Sequence, residues 1–344
     1  MTMARAAADE PRPRPRLRYG TRRRRAFALL AAGLLAVAVA CSGEAPEQRP
    51  ATRGPAVHDT GRPEPGPYPV RTRHVSTAEA KGAFRGGTLH YPADERDGGG
   101  DESGQDGKGH DHGVIAASPG LGAEESVVTP YGKLLASYGF VVITINTKTL
   151  DDSPSRRGHE LLDALGYVTG RSPLADRTDP DRLGVLGHSM GGGGALFAAS
   201  RDRNIKAAVG LTPYAERRDW PRVRAATLLI GGSGDEIAPV KQHAAAFYEG
   251  LDHAEEKEYL ELRGDHFVAT PPGRLVGAQV VGWFRHFLDG GDGKDDRQSS
   301  PDGGSGSGSG SGARAPLCPP PHSALVTASR DTCPFDRPGR TGDR

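Results

Sequence analysis

Short apolar runs alternate with amphipathic stretches over about 200 residues in the middle of this chain, a pattern typical of a mostly parallel sheet. The run FVVITI at residues 140–145 shows no polar alternation, which indicates a strand that is covered on both faces. Apolar residues recur at helical spacing over 155–168 and 276–288. The sequence therefore predicts an α/β fold with a mostly parallel central sheet flanked by helices.

Composition narrows the class of protein. Of the 344 residues, 49 are Gly, 28 are Pro and only 35% are hydrophobic, so the apolar core must be concentrated in part of the chain. The net charge of +1 argues against a dedicated nucleic-acid-binding protein. Three Cys are too few for a disulfide-dense scaffold or a Cys-rich zinc module.

Residues 1–41 have the organisation of a signal peptide. An Arg-rich segment ends at Arg25, and the apolar run at 26–40 is shorter than the roughly 20 residues of a transmembrane helix. Cys41 follows this run as the cysteine of a bacterial lipobox does, so we predict export and lipidation of Cys41 at the cell surface. Secretion after cleavage near Cys41 without a lipid remains the alternative, and the pair Arg24-Arg25 also resembles a twin-arginine signal.

The rest of the chain divides by composition. Residues 42–65 are polar and rich in Pro and Gly, as in a flexible tether, and residues 66–289 hold the predicted folded domain. Residues 290–315 form a Gly/Ser-rich linker, and residues 316–344 form a tail with the two remaining Cys.

A polar insertion without periodicity occupies residues 93–112. Its residues His110, Asp111 and His112 could in principle bind a metal ion, but a solvated loop is the better interpretation. We therefore predict no metal site there.

The motif Gly187-His188-Ser189-Met190-Gly191 carries the strongest chemical information in the chain. It fits G-x-S-x-G and lies between the predicted strand RLGVL and the predicted helix GGGALFAAS, the context of a nucleophile on a sharp strand-to-helix turn. A dinucleotide-binding loop would come in the first strand–helix unit, with an acidic residue about 20 positions further on. Residues 207–211 lie at that distance and contain no acid. We predict that Ser189 is a nucleophile.

An acid and a histidine follow in the order expected for this architecture. Asp235 comes directly after the predicted strand TLLIG, and His266 after the predicted strand EYLEL, in two successive loops at the carboxyl edge of the sheet. Glu236 is adjacent to Asp235 but should point elsewhere. Asp265 is the rival acid, but it adjoins His266 and cannot easily turn back to orient the imidazole. His188 is interpreted as a packed neighbour of Ser189. The prediction is a triad of Ser189, His266 and Asp235.

The same mechanism requires two backbone donors for an oxyanion. The residue after the nucleophile, Met190, supplies one N–H group. The loop SPGLGAEES at 118–126 follows an early predicted strand, which makes Leu121 the second donor.

Eight segments then show a close resemblance to one family: GGTLHYP, ASPGLGAEES, YGFVVITINT, RLGVLGHSMGGGGAL, IKAAVGLTPY, TLLIGGSGDEIAPV, HAAAFYEGL and ELRGDHF. Together with the C-terminal pair PLCPPP and TCPF, they resemble the actinobacterial cutinase and polyester-hydrolase (PETase-like) family of α/β-hydrolases. The resemblance implies an α/β-hydrolase fold without a lid domain, an exposed cleft, ester hydrolysis without a cofactor, and the triad Ser189, Asp235 and His266.

Departures from the family pattern bear on the substrate and on metal binding. Leu121 stands where the family usually has Tyr, and Tyr214 stands where it usually has Trp. Leu121, Tyr214 and Ile237 are predicted to form the walls of the substrate cleft, one aromatic and two aliphatic. We therefore expect flexible acyl esters to be preferred over aromatic polyesters. Ser233 and Arg263 occupy positions where some members hold calcium through acids, so no metal is expected.

Export has a consequence for the tail. The compartment outside the cytoplasm is oxidising, and a lipid on Cys41 would leave Cys318 and Cys333 as the two remaining thiols. They are predicted to pair in a disulfide, and two free thiols are the alternative.

The sequence thus predicts an exported serine carboxylic ester hydrolase that acts as a monomer on ester substrates without a cofactor. It would have no nucleic-acid partner and would contact a membrane only through the lipid on Cys41. A different class of protein, a catalytically silent surface lipoprotein that binds acylated ligands, is the alternative. A broken triad would be its sequence feature, and the predicted triad is intact.

Overall fold

The computed structural model describes residues 61–93, 112–289 and 317–335. The predicted signal peptide with Cys41, most of the tether, His110 with Asp111, and the Gly/Ser-rich linker all lie outside these ranges. Of the three residues weighed as metal ligands in the insertion, His112 alone is described, and its Nδ1 lies 2.7 Å from the carbonyl oxygen of Gly139.

Within these ranges the chain forms a nine-stranded sheet with the order β1-β2-β4-β3-β5-β6-β7-β8-β9. Its strands are Val70–Val75 (β1), Gly87–Pro92 (β2), His112–Ser118 (β3), Val141–Ile145 (β4), Thr178–His188 (β5), Ile205–Leu211 (β6), Ala226–Gly232 (β7), Lys257–Leu262 (β8) and Val326–Asp331 (β9). The six strands from β4 to β8 pair in parallel, and the pairs that involve β1, β2 and β9 are antiparallel. The predicted mostly parallel sheet is therefore confirmed.

Five α-helices in the described part of the chain cover the two faces of this sheet. They are Thr129–Ser137 (α1), Pro154–Gly170 (α2), Met190–Arg201 (α3), Ala244–Glu249 (α4) and Arg274–Leu288 (α5). Apolar residues of α1 and α5 form one core cluster with one face of the sheet, and those of α2, α3 and α4 form a second cluster with the other face. Burial on both faces explains why every residue of β4 and β7 is buried.

The two edge strands β1 and β9 were not predicted from the sequence. Both are short and largely exposed, and each pairs with its neighbour on one side only. Residues 317–335 of the tail add β9 antiparallel to β8, from Glu258 opposite Asp331 to Leu262 opposite Val326. Cys318 and Cys333 form the predicted disulfide beside this strand, with their Cα atoms 5.8 Å apart.

Within the three described ranges, no helix combines the length and the apolar character that crossing a membrane requires.

Candidate active site

Ser189 lies at the turn between β5 and α3 in a backbone conformation that is rare for a residue with a side chain. Its φ is 55° and its ψ is −122°. A Cβ atom at Gly187 would lie 2.1 Å from the carbonyl carbon of Gly191, and one at Gly191 would lie 2.2 Å from the carbonyl oxygen of Ser118. The two glycines of the motif are therefore needed because the turn brings backbone atoms too close for any Cβ.

Hydrogen bonds from the neighbouring strand and helix hold this turn. The N–H of Ser189 donates to the carbonyl of Leu211 at 2.9 Å, and its own carbonyl accepts from the N–H groups of Tyr214 at 2.9 Å and Gly193 at 3.1 Å. The serine is only 6% exposed. The backbone of Ser189, the predicted nucleophile, is thus held by hydrogen bonds to the end of β6, to the loop after it and to α3.

Asp235 and His266, the predicted acid and base, are in direct contact. The distance between His266 Nδ1 and Asp235 Oδ2 is 2.7 Å, and both side chains are buried. Asp235 Oδ1 accepts hydrogen bonds from the N–H groups of Ile237 and Ala238 at 2.9 and 2.8 Å. An ionised carboxylate can only accept a hydrogen bond, so this contact fits the imidazole tautomer that carries its proton on Nδ1 and none on Nε2.

The environment of Asp235 favours its ionised form. Burial acts to raise the pKa of this carboxyl, but the hydrogen bonds from His266 and from the N–H groups of Ala238 and Ile237 outweigh it and lower the pKa below its ordinary value. The rival acid Asp265 accepts from the N–H of Phe267 at 2.9 Å within its own loop and is exposed. Asp235, rather than Asp265, is therefore the acid in contact with the imidazole.

The backbone of His266 is attached to the turn that carries Ser189. Its carbonyl oxygen accepts from Thr212 Oγ1 at 2.8 Å and lies 3.1 Å from His188 Nε2. The rings of His188 and His266 pack with their centroids 4.9 Å apart. Desolvation lowers the pKa of His188 to about 4, so this ring is neutral and fills the role of packed neighbour that the sequence suggested.

The two predicted oxyanion donors flank Ser189 on different elements. Met190 is the first residue of α3, where a helix leaves its N–H without an intrahelical acceptor. Gly120 lies so close to the serine that a Cβ there would be 2.8 Å from Ser189 Cβ, and Leu121 follows directly. The N–H of Leu121 makes no hydrogen bond to any residue in the described part of the chain.

Three large apolar side chains close in sequence to Gly120, Asp235 and His266 are exposed, and we call Leu121, Ile237 and Phe267 the apolar rim. They are 58%, 58% and 55% exposed, respectively. Phe267 was not predicted. Its ring centroid lies 5.5 Å from those of His188 and His266, and its place directly after the predicted base was the sequence signal that could have identified it.

Tyr214, the remaining predicted wall residue, is half-buried. Its N–H binds the carbonyl of Ser189, and its ring packs against His243 with centroids 4.7 Å apart and planes inclined by 30°. Tyr214 therefore lies beside Ser189, and its ring also packs against His243.

Ser233 and Arg263, the positions where some family members bind calcium, form backbone hydrogen bonds next to the ends of β7 and β8. The N–H of Ser233 binds the carbonyl of Leu262 at 2.8 Å, and the N–H of Arg263 binds the carbonyl of Leu325 at 2.7 Å. Among the described residues, no group of three or more His, Cys, Asp or Glu side chains is placed to hold a metal ion.

Sheet order, strand-to-helix turn and the Asp235–His266 pair together define an α/β-hydrolase. Comparison with known families is more specific: the sequence profile described as "PETase: PET hydrolase-like" matches residues 45–303. The chain belongs to this PET hydrolase-like family.

Curated relatives extend over most of the chain. A bis(hydroxyethyl) terephthalate hydrolase from Streptomyces coelicolor is 40% identical over 274 residues, which cover 78% of this chain and 84% of the relative. A cutinase from Thermobifida fusca is 37% identical over 312 residues, 89% of this chain and 92% of its own. Cutinase 1 from Thermobifida cellulosilytica is 38% identical over 276 residues, 78% of this chain and 92% of its own. The chain is thus an enzyme of the carboxylic ester hydrolase class.

Proposed function

We propose that this protein hydrolyses carboxylic esters with a triad of Ser189, His266 and Asp235. One observation carries the proposal: the buried 2.7 Å contact between His266 Nδ1 and Asp235 Oδ2, attached through the His266 carbonyl to the turn that holds Ser189. This contact leaves the basic nitrogen of His266 for the serine hydroxyl.

The reaction proceeds in two similar halves. His266 Nε2 accepts the proton of Ser189 Oγ as the oxygen attacks the ester carbonyl, and the same proton passes to the departing alcohol when the acyl-enzyme forms. A water molecule then attacks the acyl-enzyme with His266 again as the base, which releases the acid and restores Ser189. In both halves the N–H groups of Met190 and Leu121 stabilise the oxyanion, and Asp235 offsets the charge of the imidazolium.

The proposed substrates are short and medium acyl esters. The apolar rim and Tyr214 offer both aliphatic and aromatic contacts to an acyl group. The relatives are named for cutin and for a terephthalate ester, which supports substrates of both kinds. Because Leu121 presents a smaller, non-stacking surface than an aromatic ring, we propose that aromatic polyesters are hydrolysed more slowly than aliphatic ones.

The proposed location is outside the cytoplasm. The Arg-rich segment, the apolar run 26–40 and Cys41 support export with a lipid on Cys41, and residues 42–65 would serve as the tether of a monomeric catalytic domain at 66–289. The linker 290–315 would then carry the disulfide-closed tail 316–344 back to the sheet. The mass of the mature N-terminal peptide distinguishes a lipidated Cys41 from a simple cleavage nearby.

Replacement of the serine tests the triad. Ser189→Ala should fold normally and lose ester hydrolysis by several orders of magnitude, since loss of a triad serine costs on the order of 10⁶-fold in kcat in a comparable system. An organophosphonate should label the wild type once per chain and leave Ser189→Ala unlabelled. Ser233→Ala, at an exposed serine two residues before Asp235, is the matched control and should label as the wild type does.

Two outcomes would contradict the proposal. A Ser189→Ala variant that keeps a tenth of the wild-type rate would show that another group is the nucleophile. A wild type that neither turns over esters nor reacts with the phosphonate would favour the silent acyl-binding lipoprotein.

A further inference from the structure

Arg157, in the first turns of α2, is a fully buried arginine that no step of the proposed mechanism uses. It is 0% exposed, and its four hydrogen bonds go to backbone carbonyls and a hydroxyl rather than to a carboxylate. The carboxylates of Glu160 and Asp152 act on Arg157 through their charge alone. Burial lowers the pKa of Arg157, and these two charges raise it. An arginine that spends its donors on carbonyl groups holds backbone in place.

The bonds of Arg157 converge on the loop with the predicted oxyanion donor. Nη1 donates to the carbonyl of Pro119 at 3.0 Å, two residues before Leu121. Nη2 donates to the carbonyl of Leu150 at 2.8 Å, and the same carbonyl accepts the N–H of Gly122 at 2.8 Å. Both sides of Leu121 are therefore fixed to one guanidinium, one directly and one through Leu150.

Further bonds fix the loop that contains Leu150. Nε donates to the carbonyl of Asp152 at 2.8 Å, and Nη1 also reaches Thr147 Oγ1 at 3.4 Å. The hydroxyl of Thr147 donates in turn to the carbonyl of Thr149 at 2.8 Å. The segment between β4 and α2 is thus held at both ends by the same side chain.

Close packing then relates Arg157 to the second oxyanion donor. A Cβ at Gly194 of α3 would lie 2.9 Å from Arg157 Cβ, and a Cβ at Gly158 would lie 2.8 Å from the carbonyl oxygen of Gly194. At these distances any Cβ on either glycine would clash, so α2 and α3 pack closely here, and α3 begins at Met190. Arg157 therefore packs against α3, which begins with Met190, and binds the loop that contains Leu121.

We propose that Arg157 is a positioning residue that sets the distance between the Leu121 and Met190 N–H groups. The inference rests on the proposed function, because it assumes that these two groups bind the oxyanion. Oxyanion donors act at 2.7–3.1 Å from the developing charge, so a small displacement of the loop lowers kcat while the ground-state substrate still binds.

The test compares Arg157→Lys and Arg157→Ala with a control next to them in the chain. Arg156→Lys is that control, because the Arg156 side chain is 73% exposed and only reaches Asp152 at 3.5 Å. Active sites are counted by phosphonate titration, so that kcat refers to folded enzyme. We expect Arg157→Lys to lose about a hundredfold in kcat, the cost of a displacement of about 1 Å, with KM within about threefold of the wild type.

Two readouts separate positioning from a general role in folding. A trifluoromethyl ketone, which forms an oxyanion on Ser189, should lose affinity in parallel with kcat/KM, and Arg156→Lys should change neither value. Guanidinium ion at millimolar concentration should restore part of the kcat of Arg157→Ala in a saturable way.

Each outcome bears on the proposal. Wild-type kcat per titrated site in Arg157→Lys would overturn it, and so would a failure of both Arg157 variants to give titratable enzyme, which would show a purely structural role. If the wild type itself neither labels nor hydrolyses esters, the proposed function fails instead.

Discussion

At position 189 a serine occupies a backbone conformation that costs on the order of 1–3 kcal/mol. Thr212, with φ at 40°, is a second residue of this kind, and it donates to the carbonyl of His266. The first residue is the proposed nucleophile, and the second contacts the backbone of the proposed base. Backbone strain here is offset by hydrogen bonds from β6 and α3, and its consequence is that the side chains of Ser189 and His266 are presented from fixed positions.

Phe267 is an exposed aromatic residue that the structure places against the rings of His188 and His266. Phe267→Ala removes an exposed ring beside His188 and His266, and aromatic contacts contribute about 0.5–1.5 kcal/mol beyond burial. We expect KM for an aromatic acyl ester to rise several-fold, with a smaller rise for an aliphatic one and little change in kcat. Initial-rate kinetics on matched esters measure this.

The control for Phe267 is another exposed aromatic. Tyr68 is 45% exposed and lies beside Gly139, before the start of β4 and so at the opposite edge of the sheet. Tyr68→Ala should leave both KM values unchanged. Equal KM changes for aromatic and aliphatic esters in Phe267→Ala would show that the ring does not select the acyl group.

Among the elements, the added strand β9 changes the edge of the sheet. It covers β8, whose backbone would otherwise be open to pairing with another chain. Apolar residues beside the two cysteines pack on α5: Leu317 lies against Gly282, and the ring of Phe335 lies 5.2 Å from that of Trp283. The tail is therefore integrated through a strand, a disulfide and an apolar contact.

Removal of the disulfide should weaken the tail without reaching the triad. The bridge spans 15 residues, and a loop of this size is associated with about 3 kcal/mol in the chain-entropy description. We expect a Cys318→Ser/Cys333→Ser double variant to lose up to about that much free energy of unfolding in urea and to keep its kcat at 25 °C. Reduction of the wild type should reproduce the loss. A change below about 0.5 kcal/mol would show that β9 and Phe335 hold the tail without the bridge.

At the scale of the whole molecule, acidic side chains buried beside the sheet make the free energy of unfolding depend on pH. Glu258 at the start of β8 is fully buried, and desolvation raises its pKa to about 8 despite hydrogen bonds from Gln279 Nε2 at 2.9 and 2.8 Å. Burial likewise raises the pKa of Glu160 to about 7. Both groups favour the protonated form in the folded state.

The sign of the effect follows from proton binding. A carboxyl with a folded-state pKa above its unfolded value binds more protons when the protein is folded. Its contribution to the free energy of unfolding is therefore present below about pH 4.5 and is lost as the pH rises to about 8. Glu258→Gln should remove this loss. The free energy of unfolding of the variant, relative to that of the wild type, should increase on the order of 4 kcal/mol between pH 4.5 and 8.5. Chemical denaturation across that range measures it. Glu255→Gln, at an exposed site nearby, is the control, and equal pH slopes for the wild type and Glu258→Gln would refute the prediction.

Local patterns were sufficient for the strand-to-helix turn, the order of Ser189, Asp235 and His266, and the parallel centre of the sheet. Each depends on neighbours in the chain: small residues where backbone atoms meet, polar residues directly after buried strands, and unbroken apolar runs inside the sheet. Only the tertiary structure decided the strands β1 and β9, the exposure of Phe267 and the contacts of Arg157. An edge strand has one partner and a mostly polar sequence, so its pairing is determined by a distant strand rather than by its own pattern. A buried arginine has the same letter as the exposed Arg156 beside it, and its role depends on carbonyl groups that folding brings to it from 38 residues away.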